Sequence, residues 1–161
     1  MRKTHLAIGL AAVAAATVLS LTTAHAVSNP PGSGGGGIDY GNSLHQGDTL
    51  YAGDYISRYD VGGTHVLSLT MQADGNLVEY ISIDPSGEGP WQACWASGTY
   101  GSGADHAAYQ SDGNFVVYNS SHTPMWASNT QWGGGTTVDM NADGVIYVGT
   151  KPISNACHYT Q

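Results

Sequence analysis

Gln72-Ala73-Asp74-Gly75-Asn76-Leu77-Val78-Glu79-Tyr80 reads Q-x-D-x-N-x-V-x-Y, and the same five letters return at the same spacing in Gln110-Ser111-Asp112-Gly113-Asn114-Phe115-Val116-Val117-Tyr118. Each copy leads into a Trp-Ala-Ser-x-Thr segment, Trp95 to Thr99 and Trp126 to Thr130. A repeat on this period marks a unit of fold used more than once. Between Val66 and Gln72 apolar and polar letters alternate, which places Leu67, Leu69 and Met71 on one face of a strand and Val66, Ser68, Thr70 and Gln72 on the other. Asp74-Gly75 supplies a turn, and Asn76 to Tyr80 returns as a second strand with Asn76, Val78 and Tyr80 on one face and Leu77 on the other. A third strand over Trp95 to Thr99 completes the unit.

The second unit fits the same template, with Tyr109 in the place of Met71 and Phe115 in that of Leu77. The spacing from Asp74 to Asp112 is 38 residues and that from Trp95 to Trp126 is 31, so the first unit carries a longer loop between Tyr80 and Trp95. A third copy, Met140-Asn141-Ala142-Asp143-Gly144-Val145-Ile146-Tyr147, is eroded. Asn141 replaces Gln, the Asn position is Val145 or deleted, and Ser154 falls where the Trp would be. No stretch after the first residues holds a helical stripe, and short alternating runs separated by Gly and Asp extend from Asn42 onward. The chain therefore reads as all-β. Three strand-rich units that cannot bury their apolar faces alone must share one core, most simply about a pseudo-threefold axis with Trp95, Trp126, Leu77 and Phe115 pointing inward.

Met1 to Ala26 has a basic start, an apolar stretch and a small-x-small ending, the pattern of a secretory signal peptide cut after Ala26. Residues 27–37, with Pro30-Pro31 and a glycine run, read as a flexible lead-in, and residues 38–161 as one folded domain. Loss of the first 26 residues leaves Arg58 and Lys151 against twelve Asp and Glu, a formal charge of −10 compared with −8 for the whole chain. Such a surface repels nucleic-acid phosphates and anionic lipid, so neither nucleic acid nor membrane insertion is expected, while neutral polyols remain open as ligands. Cys94 and Cys157 are the two cysteines, and export predicts that they pair.

The two intact copies, their Trp-Ala-Ser-x-Thr sequels and the Leu50-Tyr51-Ala52-Gly53 lead resemble the bulb-type mannose-binding lectins of monocots, over about residues 42–155. The resemblance implies a β-prism II fold and a mannose site in each intact repeat. In it Gln72, Asp74, Asn76 and Tyr80, and likewise Gln110, Asp112, Asn114 and Tyr118, hydrogen-bond the sugar hydroxyls, while Val78 and Val116 pack on its carbons. The chemistry suits a sugar. Asp accepts, Asn and Gln both donate and accept, and Tyr offers a donor on an apolar plate. Asn141, Asp143 and Tyr147 form a degenerate third site. Homodimers are common in the family, and no enzymatic activity is implied.

A turn needs only Asp-Gly; it gives no reason to keep Gln before it and Tyr after it twice. His65, His106, His122 and His158 have no metal-ligand spacing, so no metal or other cofactor is expected. No Gly-x-Ser-x-Gly occurs. A rival reading is a bacteriocin-like antagonist that docks on envelope glycans or a protein receptor, with Trp91 in the long Ile81–Ala93 loop as an exposed anchor.

Overall fold

The computed structural model describes residues 30–33 and 36–160. The expected signal peptide lies outside the described residues. Twelve strands and no helix are present among them: β1 (Ser43–His45), β2 (Thr49–Tyr51), β3 (Tyr55–Tyr59), β4 (Val66–Met71), β5 (Leu77–Ser82), β6 (Trp91–Ala96), β7 (Ala104–Tyr109), β8 (Phe115–Asn119), β9 (Pro124–Ala127), β10 (Thr137–Met140), β11 (Ile146–Val148) and β12 (Lys151–Pro152). They form three antiparallel four-stranded sheets, β3-β4-β5-β6, β2-β7-β8-β9 and β1-β10-β11-β12. This is the β-prism II architecture.

Each repeat supplies three strands of a sheet, the third beginning before the expected Trp95 and Trp126 and ending at Ala96 and Ala127 rather than at the threonines, and the fourth comes from elsewhere. The short runs of Ser43 to Tyr59 form a ribbon that gives β1 to the third sheet, β2 to the second and β3 to the first. The inner faces meet in one core. Leu67, Leu69, Met71 and Leu77 of the first sheet pack with Ala107, Tyr109, Phe115 and Val117 of the second and Val138, Met140, Ile146 and Val148 of the third. Phe115 and Leu77 are fully buried, whereas Trp95 and Trp126 pack on the core half-buried, edge to face with centroids 5.4 Å apart.

The register corrects several expectations. Glu79, Val117 and Val148 are equivalent, and their partners on the last strand of each sheet are Trp95, Trp126 and Lys151. The position of the missing third Trp is therefore Lys151, not Ser154. Ser154 takes over a different duty: its hydroxyl accepts from the Ile146 amide at 2.8 Å, as those of Ser97 and Ser128 do from Leu77 and Phe115. Trp91 opens β6 rather than a loop, and it lies half-buried with its ring 6.4 Å from that of Tyr80. It is not the exposed anchor that docking on a protein receptor required.

Of the stretch read as a flexible lead-in, residues 30–33 are described and pack locally. Pro30 to Ser33 makes a turn in which the Ser33 amide and hydroxyl both donate to the Pro30 carbonyl, and Pro30 and Ser33 are buried. The Cys94–Cys157 disulfide is present, with Cα atoms 5.5 Å apart, and fastens β6 to the carboxyl-terminal tail.

Candidate carbohydrate-binding sites

The Q-x-D-x-N segments are the turns between the two middle strands of their sheets. The glycine after Asp adopts a left-handed conformation in all three, with φ of 88° at Gly75, 85° at Gly113 and 77° at Gly144. At Gly75 a Cβ would also lie 2.8 Å from the Ala104 carbonyl oxygen, so two constraints demand glycine there.

In each intact site the scaffold uses only part of the hydrogen-bonding capacity of the Asp and Asn side chains. Asp74 Oδ1 accepts from the Asn76 amide at 2.9 Å, and Asp112 Oδ1 does the same for Asn114. Asn76 Oδ1 accepts from the Ser97 hydroxyl at 3.2 Å and the Thr99 amide at 3.1 Å; Asn114 Oδ1 accepts from Ser128 and Thr130 at 3.1 and 3.3 Å. The threonine hydroxyls then donate to the carbonyls of Gly75 and Gly113. That clamp accounts for the repeated Ser-x-Thr. Among the described residues it leaves one oxygen of each Asp and the Nδ2 donors of each Asn outside these scaffold bonds.

Gln72 Nε2 donates to the Tyr80 hydroxyl at 2.7 Å, and Gln110 Nε2 to that of Tyr118 at 2.7 Å. Because the phenol oxygen accepts, its own proton remains available to a ligand. Burial raises the Tyr80 phenol above its usual pKa, the bond from Gln72 works the other way, and the charge of Asp74 adds to the rise. It stays a donor at neutral pH. Val78 and Val116 lie on the same outer face but are 3% and 2% exposed, so each contributes little more than a methyl-lined floor.

The two sites differ in access. Gln72 Nε2 donates a second bond, to the Pro31 carbonyl at 3.2 Å, and a Cβ on Gly32 would sit 2.6 Å from the Gln72 side chain. Both amide protons of Gln72 are thus taken by the protein, and the first site is partly covered by residues 30–33. Among the described residues Gln110 has no such cover, and it borders an open cavity of about 380 Å³.

The third copy is not brought together. Asn141 Oδ1 accepts from the amides of Asp143 and Val145 and so closes its own turn. Tyr147 pairs with Asp139 as Val78 pairs with Thr70, which puts Tyr147 in the valine position and leaves Gly149 where Tyr80 would be. The expected trio of Asn141, Asp143 and Tyr147 therefore lacks the Gln–Tyr pair altogether.

Trp132 adds a feature that the motif did not suggest. Its amide donates to the Asp112 carbonyl at 2.8 Å, as that of Gly101 does to Asp74 at 2.9 Å. Gly101 has φ of 68° and Trp132 has φ of 60°, so a bulky, 85% exposed indole occupies a backbone conformation that suits glycine. Trp132→Gly should relieve that strain. The expected result is a stabilisation of about 1 kcal/mol in a urea titration, since the added chain entropy of glycine offsets part of the relief.

No protein-family model matches the chain. A mannose-specific lectin of Aloe arborescens is 38% identical over 99 residues, which cover 61% of this chain and 76% of the relative. The B-type lectin plumieribetin of Scorpaena plumieri is 36% identical over 92 residues, 57% of this chain and 70% of the relative. The chain belongs to the bulb-type lectin family. Among solved structures, a lectin from Allium sativum and the mannose-specific agglutinin of snowdrop (Galanthus nivalis), the latter in complex with methyl-α-D-mannoside, each share 32% identity with it. Each superposes with a TM-score of 0.51 and covers 74% of this chain and 99% of its own. As a bulb-type lectin the chain is a carbohydrate-binding protein of three sheets, two of which carry a complete Gln–Asp–Asn–Val–Tyr constellation.

Proposed function

We propose that this bulb-type lectin binds mannose or mannose-containing glycans outside the cell, through Gln110, Asp112, Asn114, Val116 and Tyr118, and more weakly through Gln72, Asp74, Asn76, Val78 and Tyr80. It binds without turnover and needs no cofactor. The observation that carries the reading is the divided use of each polar side chain: the scaffold takes one oxygen of each Asp and the amide oxygen of each Asn, and leaves their other polar atoms without a scaffold bond beside a tyrosine that can donate. A binding site arranged in this way loses little side-chain freedom when a sugar arrives. The signal-peptide pattern of residues 1–26 supports an extracellular role. A pair of such sites, each gripping one ring at roughly millimolar affinity, gains useful strength from multivalent glycans or from a homodimer.

Calorimetry with methyl α-mannoside tests the assignment. Asp112→Asn keeps the turn acceptor and removes the charge, and is expected to weaken binding by about 10- to 100-fold, the loss of roughly 1.5–3 kcal/mol for a charge-assisted bond. Asp74→Asn should change the total heat much less, because the first site is covered. Equal losses from the two substitutions would remove the ranking of sites, and absence of heat from the unaltered protein would remove mannose as ligand.

A further inference from the structure

Three side chains stand in a row across the outer face of the sheet that carries the second site. The register pairs Tyr51 of β2 with His106 of β7, and His106 with Tyr118 of β8. The ring centroids of Tyr51 and His106 are 5.8 Å apart, and His106 stacks on Tyr118 at 5.6 Å with 21° between the planes. His122, in the turn between β8 and β9, closes the group at 5.6 Å from His106 and 6.4 Å from Tyr118. Asp105 fixes the His106 ring through Nδ1.

One row along the sheet, Ala108 is too small to fill the space in front of these rings. The result is the cavity of about 380 Å³, within the ~300–1,000 Å³ range of small-ligand clefts. Gln110 and Tyr118 line it as well, so the cavity is continuous with the second site.

The fold does not require the row. Its equivalents are Ser57, Ser68 and Tyr80 in the first sheet and His45, Thr137 and Gly149 in the third. Nor does burial account for it, since Tyr51 is 61% exposed and His122 is exposed. What the row offers is a set of aromatic faces with polar atoms at their rims. A pyranose ring has the complementary pattern, with C–H groups on its faces and hydroxyls round its edge.

We propose that the Tyr51–His106–Tyr118–His122 cluster is a subsite for a second, neighbouring pyranose ring, which makes the second site selective for a neutral di- or oligosaccharide over a single sugar. This inference rests on the sugar-binding reading of Gln110 to Tyr118. The acidic balance of the chain, −8 overall, disfavours anionic saccharides at the same place.

The test compares methyl α-mannoside with the α1-2, α1-3 and α1-6 mannobioses by calorimetry on the full chain, in an Asp74→Asn background so that the second site reports. The best mannobiose is expected to bind about tenfold more tightly than the monosaccharide. Tyr51→Ala and His122→Gly should each bring that ratio, taken within the same variant, close to one. His122 has φ of 57°, so glycine fits its backbone and this variant keeps the fold. A ratio near one in the parent, or a tenfold ratio that survives both substitutions, overturns the subsite and leaves the mannose reading standing. Absence of heat with all four sugars overturns both.

Discussion

The unaltered protein is expected to lose stability between about pH 4.5 and 8, and Glu79→Gln to abolish most of that loss. Glu79 faces the core from the middle of β5 and is fully buried, with no hydrogen-bond partner at either carboxylate oxygen among the described residues. The Ser154 hydroxyl, which donates to the Asn155 carbonyl and accepts from the Ile146 amide, lies close enough to Glu79 to offset part of the rise. Burial dominates and pushes the Glu79 carboxyl from its ordinary 4.5 up to about 8.

Between those two values the folded chain holds a proton that the unfolded chain has lost. The contribution of Glu79 is therefore complete below about pH 4.5 and disappears as the pH rises through 8, with an upper bound of about 5 kcal/mol. Urea titrations across this range should show a midpoint that falls for the parent and stays level for Glu79→Gln; parallel decline of the two would refute the assignment. The acid side is set elsewhere. Burial would raise Asp60, but hydrogen bonds from the His65 side chain and from the Thr64 and His65 amides outweigh it and hold the carboxyl at about 2. Its contribution is present above the ordinary 3.8 and lost as the pH falls through 2, so the stability maximum is expected near pH 4 to 5.

The second large effect is expected from Cys94→Ala/Cys157→Ala, a destabilisation of about 4 kcal/mol. The bridge closes a separation of 63 residues, for which the chain-entropy model gives that figure. Against a total stability of roughly 5–15 kcal/mol it is a large share. Cys157 is 3% exposed and belongs to the core, and its Cβ would lie 2.5 Å from a Cβ placed on Gly144, so the bridge also seats the third-repeat turn. Dithiothreitol on the parent protein should reproduce the shift in the urea midpoint. A change below about 1 kcal/mol in both experiments would show that strain or residual structure cancels the constraint.

The parts of this fold that local spacing controls were readable before any coordinates. The alternation of Leu67, Leu69 and Met71, the Asp-Gly turns and the two five-letter motifs fix β4, β5, β7 and β8 and place Leu77 and Phe115 inward, because side-chain direction in a strand follows position alone. What was hidden depends on distant pairing. Nothing in Ser43 to Tyr59 reveals that its three short strands join three different sheets, and the aromatic row of the second site exists only because β2 sets Tyr51 beside His106.

The misreading of Tyr147 has a sharper cause. Letters in the eroded copy align Tyr with Tyr, whereas the hydrogen-bonded register counts from the turn and puts Tyr147 beside Asp139. The role of Ser-x-Thr was within reach, since Ser97 and Thr99 recur as Ser128 and Thr130 after an Asn that needs an acceptor's partners. Cover over Gln72 was not, because a proline- and glycine-rich stretch carries no periodicity from which packing can be inferred.

The ribbon of β1, β2 and β3 has a kinetic meaning. In a stacked array each unit contacts its neighbours and can open by itself. Here one continuous piece of chain, Ser43 to Tyr59, is hydrogen-bonded into all three sheets: the first sheet closes on consecutive strands, but the second and third are complete only when β2 and β1 meet residues about 55 to 95 positions further along the chain. Folding should be limited by closure of the second and third sheets, with the β1 and β2 amides exchanging their hydrogens only when those sheets open.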